Sequence, residues 1–164
     1  MMKSYQYVGP GEILDRIDRE SLGQDILSAK ALINWLKMMK YAQGFVTLTY
    51  IVDQDGSLRI APRESEHVAC AGGNSVLAAG ELIVDFIGNE LSIAEITNLS
   101  TGYCPSPSCW PAVKLALEKT DIQFPDYFTN SYIFGICDNC GNRQVIKDDV
   151  YGCYNCGETL TSRA

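Results

Sequence analysis

Histidine is nearly absent from this sequence: His67 is the only one, so any imidazole acting as base or metal ligand must be this residue. Long apolar runs are missing too. No stretch approaches the roughly eighteen apolar residues that span a bilayer, and no membrane association is expected. Met1-Met2-Lys3-Ser4-Tyr5-Gln6-Tyr7 lacks the apolar segment of a secretory leader. Together with the cysteine spacing described below, that leads us to expect a reducing, cytoplasmic setting. Positive charge is also scarce: 13 Lys and Arg stand against 20 Asp and Glu, a formal net charge of −7. A phosphate-neutralising protein needs a basic stripe. Around the C-terminal cysteines only Arg143, Lys147 and Arg163 offset Asp138, Asp148, Asp149 and Glu158. Nucleic acid is therefore disfavoured as the main partner. There is no internal repeat and no low-complexity segment.

What remains is an ordinary globular composition, 46% apolar and 20% charged over 164 residues. That length supports one compact domain with its own core plus a small metal-stapled appendage. The strongest chemical signal lies at the C-terminal end, where Cys137-Asp138-Asn139-Cys140-Gly141 is followed by Cys153-Tyr154-Asn155-Cys156-Gly157. Each is a C-x-x-C-G turn that points two thiolates at one ion, and the Gly lets the backbone turn back with positive φ. Two such turns supply Cys137, Cys140, Cys153 and Cys156 as a closed four-sulfur set, the pattern of a structural zinc ribbon. Four sulfurs leave no position for water or substrate, so catalysis at this metal is not expected. Arg143 to Lys147 and Val150 to Gly152 read as two short strands joined by Asp148-Asp149.

Upstream, Glu12 to Arg19 reads as a short amphipathic turn, with a bend around Ser21-Leu22-Gly23 after it. Ser28 caps a helix from Ala29 to about Lys40, with Leu32, Trp35, Leu36 and Met39 as its buried stripe. After Gly44 the period changes from 3.6 to 2. Phe45 to Val52 and Leu58 to Ile60 pair across Asp55-Gly56, and Leu77 to Phe86 pairs with Leu91 to Thr97 across Gly88-Asn89. A last helix runs from Cys109 to about Lys119 on Trp110, Val113 and Leu117, with Pro111 in its first turn. Tyr132-Ile133-Phe134 is a strand feeding the first knuckle. The expected fold is α+β: an antiparallel β-meander, as a curved sheet or partial barrel, with flanking helices over residues 1–131, closed by a zinc ribbon over 132–164. No flexible linker separates the two, so the ribbon is expected to pack on the sheet.

Chemistry that packing does not explain is concentrated in two loops. Glu66-His67-Val68-Ala69-Cys70-Ala71-Gly72-Gly73 lies between the hairpins, and Asn98-Leu99-Ser100-Thr101-Gly102-Tyr103-Cys104-Pro105 follows the fourth strand, with Cys109 just beyond. Taken with Val76-Leu77-Ala78-Ala79-Gly80-Glu81, these motifs resemble a family of functionally uncharacterised bacterial proteins that also end in a zinc ribbon. The resemblance covers nearly the whole chain. Neither this resemblance nor the one below supplies a known reaction; the context we expect is an accessory component of a larger bacterial system, such as one of defence or protein modification. The middle third also resembles a module of plant IQ-motif calmodulin-binding proteins and of toxin-like proteins. Val68-Ala69 stands where that module has serines, Thr101-Gly102 where it has Gly-His, and no IQ helix is present, so calmodulin binding does not carry over.

Three readings of the loops compete. His67, Cys70, Cys104 and Cys109 are all metal-ligand types, in H-x-x-C and C-x₄-C spacing, and would make a second zinc site. A zinc-deaminase motif is not met, because Glu66 precedes His67 instead of following it. Alternatively, His67 as base with Cys104 or Cys70 as nucleophile, near Ser100, Tyr103 and Glu81, would suit acyl or thioester transfer, and the toxin-like resemblance suggests an ADP-ribosyl-type transfer. The third reading is a binding module in which these groups are structural: a hydrogen-bonded His, buried free thiols and turn glycines. That reading is the one we favour, with zinc as the cofactor, a protein as the partner and no enzymatic turnover.

Overall fold

The computed structural model describes residues 2–19 and 23–163. The bend expected around Ser21 and Leu22 falls outside the described residues. In chain order the elements are α1 (Gly11–Arg16), β1 (Gln24–Asp25), α2 (Ala29–Met38), β2 (Gly44–Val52), β3 (Leu58–Pro62), α3 (His67–Cys70), β4 (Ala78–Ile87) and β5 (Glu90–Ile96). A 3-10 turn (Pro107–Cys109) then leads into α4 (Trp110–Glu118), and β6 (Ile133–Ile136), β7 (Arg143–Ile146) and β8 (Thr161–Ser162) complete the chain. The fold is α+β, with an open antiparallel sheet of five strands and a second sheet of three that carries the cysteines.

Both expected hairpins form, but the order in the sheet is β1-β3-β2-β4-β5. The second hairpin joins the free side of β2 and not its return strand, so β2 becomes the centre. Its nine-residue ladder with β4 runs from Gly44↔Phe86 to Val52↔Ala78. The reason lies in burial. Val46, Leu48 and Tyr50 alternate on one face of β2, and they are covered only when Leu82, Val84 and Phe86 extend that face sideways. Leu32, Trp35 and Leu36 of α2 and Val113 and Leu117 of α4 complete this core. α2 lies against β5, and α4 lies against β2, β3 and β4. The Ser28 hydroxyl accepts the Ala31 N–H at 3.1 Å, starting α2 as its sequence implies. Met39 departs from expectation: the helix ends at Met38, and Met39 caps it at 44% exposure with Met38 at 68%. Neither methionine is core.

The ribbon also differs from its expected form. Val150 to Gly152 is not a strand; only a single bridge, Gly152↔Thr159, forms there. β7 instead pairs with β6, the strand that enters the first knuckle, from Ile133↔Ile146 to Ile136↔Arg143. The knuckle is itself the hairpin turn. Asp148 and Asp149 both adopt left-handed backbone (φ 53° and 56°), which turns the chain away from a direct return.

The ribbon enters beside the outer face of the five-stranded sheet, where Tyr132 lines one hollow with Thr47 and Ile83. Its apolar cluster, Cys137, Cys153 and Leu160, is separate from the main core. Polar bonds tie the two parts together. The fully buried Asn98 donates from Nδ2 to the carbonyls of Tyr132 (2.8 Å) and Pro105 (2.9 Å), and its Oδ1 accepts the Tyr132 N–H at 2.7 Å. Arg143 of β7 donates to the Thr101 carbonyl in the same loop.

Candidate metal centre

Each knuckle is built by the same backbone device. The Gly141 N–H donates to the Cys137 carbonyl at 2.8 Å, and the Gly157 N–H to the Cys153 carbonyl at 2.9 Å. Both glycines sit at φ near 80° (77° and 82°), a conformation that a side chain disfavours. These turns bring the sulfurs of Cys137, Cys140, Cys153 and Cys156 all within 4.8 Å of one another. Sγ of Cys137 lies 3.5 Å from Cys156, and Sγ of Cys140 lies 3.6 Å from Cys153. A tetrahedral ion held at about 2.3 Å needs sulfurs about 3.8 Å apart, so the four groups form a possible metal-binding site.

The surroundings favour thiolate. The Asn155 N–H and the Asn139 amide reach Cys153 and Cys156 at 3.4 Å each. Although desolvation pushes Cys153 up, backbone N–H groups of Cys156 and Asn155 pull its thiol down to about 6. Cys156 is lowered by the Asn139 amide and then by the backbone of Glu158. Cys137 goes the other way, to about 11: the Cys140 backbone favours its thiolate, but desolvation and the neighbouring sulfurs outweigh it. Without a cation, four thiolates in this space repel one another, and the set cannot ionise together.

Sequence reasoning missed the residues that support the knuckles. Gln144, 6% exposed, points its amide into the second knuckle. Its Oε1 accepts the Tyr154 N–H at 2.9 Å and the Asn142 amide at 2.8 Å, while Nε2 donates to the Gly152 carbonyl at 3.0 Å. A glutamine between arginine and valine in a short strand was the available signal. Asn98, which clamps the ribbon's entry, gave a weaker one.

The second constellation is arranged differently from either active reading. Both loops do reach β4, where they meet at Gly80. The Thr97 carbonyl carbon lies 2.8 Å from where a Gly80 Cβ would stand, so only glycine allows this approach. The Tyr50 hydroxyl donates to the same Thr97 carbonyl at 2.7 Å. His67 begins α3, and its Nε2 lies 2.8 Å from the Gly80 carbonyl oxygen, so Nε2 carries a proton and donates. Desolvation lowers the pKa of His67 and keeps the ring neutral. The Ser100 hydroxyl accepts the Tyr103 N–H at 3.3 Å inside its own turn, and Tyr103 donates to the Asn74 carbonyl at 2.7 Å. Glu81 pairs with Arg63 at 3.3 Å on the opposite face of the strand from the core.

His67, Cys70, Cys104 and Cys109 do not converge. Among the described residues the ribbon cysteines are the only group of three or more His, Cys, Asp or Glu side chains whose ligand atoms come together. The second centre of the first reading is thus not assembled among the described residues. Cys70 packs against Gly23, and Cys104 donates weakly to the Thr101 carbonyl at 3.5 Å. All three thiols are buried, and burial pushes Cys70 and Cys109 up to about 12 and Cys104 to about 11. Neither nucleophile is activated, and His67 is bonded to backbone, not to sulfur.

Among the described residues no helix is long and apolar enough to cross a membrane. No family model, curated protein or solved structure matches the chain.

Proposed function

We propose that the protein is a zinc-binding protein-interaction or regulatory module, in which one structural zinc shapes the C-terminal ribbon and no substrate is turned over. The observation that carries this reading is where the reactive side chains go. Four sulfurs close on one another, whereas His67, Ser100 and Tyr103 are committed to backbone partners in the fold. Zinc suits an all-thiolate tetrahedral set; magnesium and calcium take oxygen ligands. A closed set supplies folding energy and no bound water, so the metal's role is to hold the ribbon's two knuckles together.

Thiol labelling tests the absence of a nucleophile. In metal-loaded protein at pH 7, iodoacetamide is expected to leave Cys70, Cys104 and Cys109 unmodified for hours, as read by peptide mass spectrometry. Rapid alkylation of Cys104 or Cys70 that disappears in His67→Gln would overturn the reading in favour of a cysteine enzyme.

A further inference from the structure

The face of the central strands away from the core is unfinished. On β2 and β4, Val46, Leu48, Leu82, Val84 and Phe86 are buried while the alternate residues Thr47, Ile83 and Asp85 are only partly covered. Phe45 and Ile87 are exposed at 75% and 64%. Register puts these on one side: Phe45 stands opposite Asp85, Thr47 opposite Ile83, and Ile83 opposite Glu95 of β5. At the far end this face is closed by the chain itself, where the Thr49 hydroxyl donates to the carbonyls of Arg63 and Ser65. Between lies a hollow of about 160 Å³ floored by Ile83 and Thr47 and walled by Leu99 and Tyr132. The open part is therefore a trough of mixed lining, apolar at Phe45 and Ile83 and polar where Arg63, Glu81, Glu95, Thr97 and Asn130 surround the hollow. Its length from Phe45 to Thr49 is about 13 Å, or some two and a half turns of helix.

Charge selects the occupant. Asp85 and Glu95 border the trough, and among the described residues neither has an ionic partner; Glu81, further along, is already neutralised by Arg63. A second copy of this face would set carboxylates against carboxylates. We infer that the trough over Phe45, Thr47 and Ile83 docks a basic amphipathic helix of another protein, its apolar stripe on Phe45 and Ile83 and its Lys or Arg residues on Asp85 and Glu95. The bound helix becomes a third layer opposite α2 and α4, covering the sheet on both faces. This rests on the interaction reading given above and names its surface.

The test titrates zinc-loaded, isotope-labelled protein with an eighteen-residue helical peptide of Leu, Lys and Ala. A scrambled peptide of equal charge and a Leu/Glu analogue are run beside it. The expected result is amide shifts confined to Phe45, Thr47, Ile83, Asp85 and Glu95, seen with the first peptide only. Phe45→Ser/Ile83→Ser, both changes at partly or fully exposed positions, should weaken binding at least tenfold. Asp85→Asn/Glu95→Gln should weaken it several-fold and flatten its salt dependence. Shifts centred elsewhere, equal binding of the scrambled peptide, or no binding would overturn the assignment of this face while leaving a role for another surface. Self-association of the free protein that Phe45→Ser abolishes would instead give the face to a second copy. His67-dependent thiol reactivity is what would remove the interaction reading itself, so the two failures are distinguishable.

Discussion

Cys70, Cys104 and Cys109 are buried thiols whose folded-state pKa values, about 12, 11 and 12, lie above an ordinary value near 9. The unfolded chain loses these protons first. Their contribution to stability is complete below pH 9 and drains as pH rises towards 11 to 12, by about 2 kcal/mol per thiol at pH 10.5. Denaturant midpoints of the wild type should therefore fall steeply between pH 8 and 10.5, and less steeply in Cys70→Ala. His67 acts at the other end of the scale. Its folded pKa is lowered by desolvation, so the folded state binds its proton less readily than the unfolded one. Stability is present above the ordinary value of 6.5 and is lost as pH falls below it. His67→Gln should cost about 1 kcal/mol at pH 7.5 through its bond to Gly80 and should flatten the profile between pH 6.5 and 5. Gly80→Ala is the severe case, because the new methyl meets the Thr97 carbonyl and Asn98 backbone. A loss of about 3 kcal/mol or more is expected by chemical denaturation.

At the scale of elements, the join between ribbon and domain centres on the Asn98 amide, with the Arg143 to Thr101 bond beside it. Asn98→Ala leaves the Tyr132 N–H and two carbonyls without their partner in a buried place. The expected cost is about 3 kcal/mol, and hydrogen exchange should quicken at Tyr132 and along β6 before it does in β2 or β4. The elements differed in how openly the sequence declared them. The β-branched and aromatic residues of Phe45 to Val52, with Asp55-Gly56 and Gly88-Asn89 as turns, made both hairpins legible. So did the Ser28 cap and the Trp110, Val113 and Leu117 stripe. Val150 to Gly152 misled because strand-like residues matter less than the backbone before them, and two consecutive aspartates in left-handed conformation redirect the chain. Met39 misled because helical spacing says nothing about where the helix stops.

For the molecule as a whole, strand order was the part that local pattern could not carry. Each hairpin is specified by its own turn, but which edge the second hairpin joins depends on covering β2's inner face, a long-range matter. The knuckles were legible for the opposite reason: ligand type, spacing and turn glycine all lie within five residues. The second constellation shows the limit of residue types without geometry. His67 and the cysteines have the composition of a site, yet backbone carbonyls occupy two of them, that of Gly80 bonding His67 and that of Thr101 bonding Cys104. One possible metal centre follows among the described residues, held in the ribbon and separate from the main core. The direct measurement is zinc per chain in the wild type, in Cys70→Ala/Cys104→Ala and in Cys140→Ser/Cys156→Ser. One zinc in the first two and none in the third is the predicted result. Two zincs in the wild type, or one that survives loss of Cys140 and Cys156, would contradict the single ribbon centre.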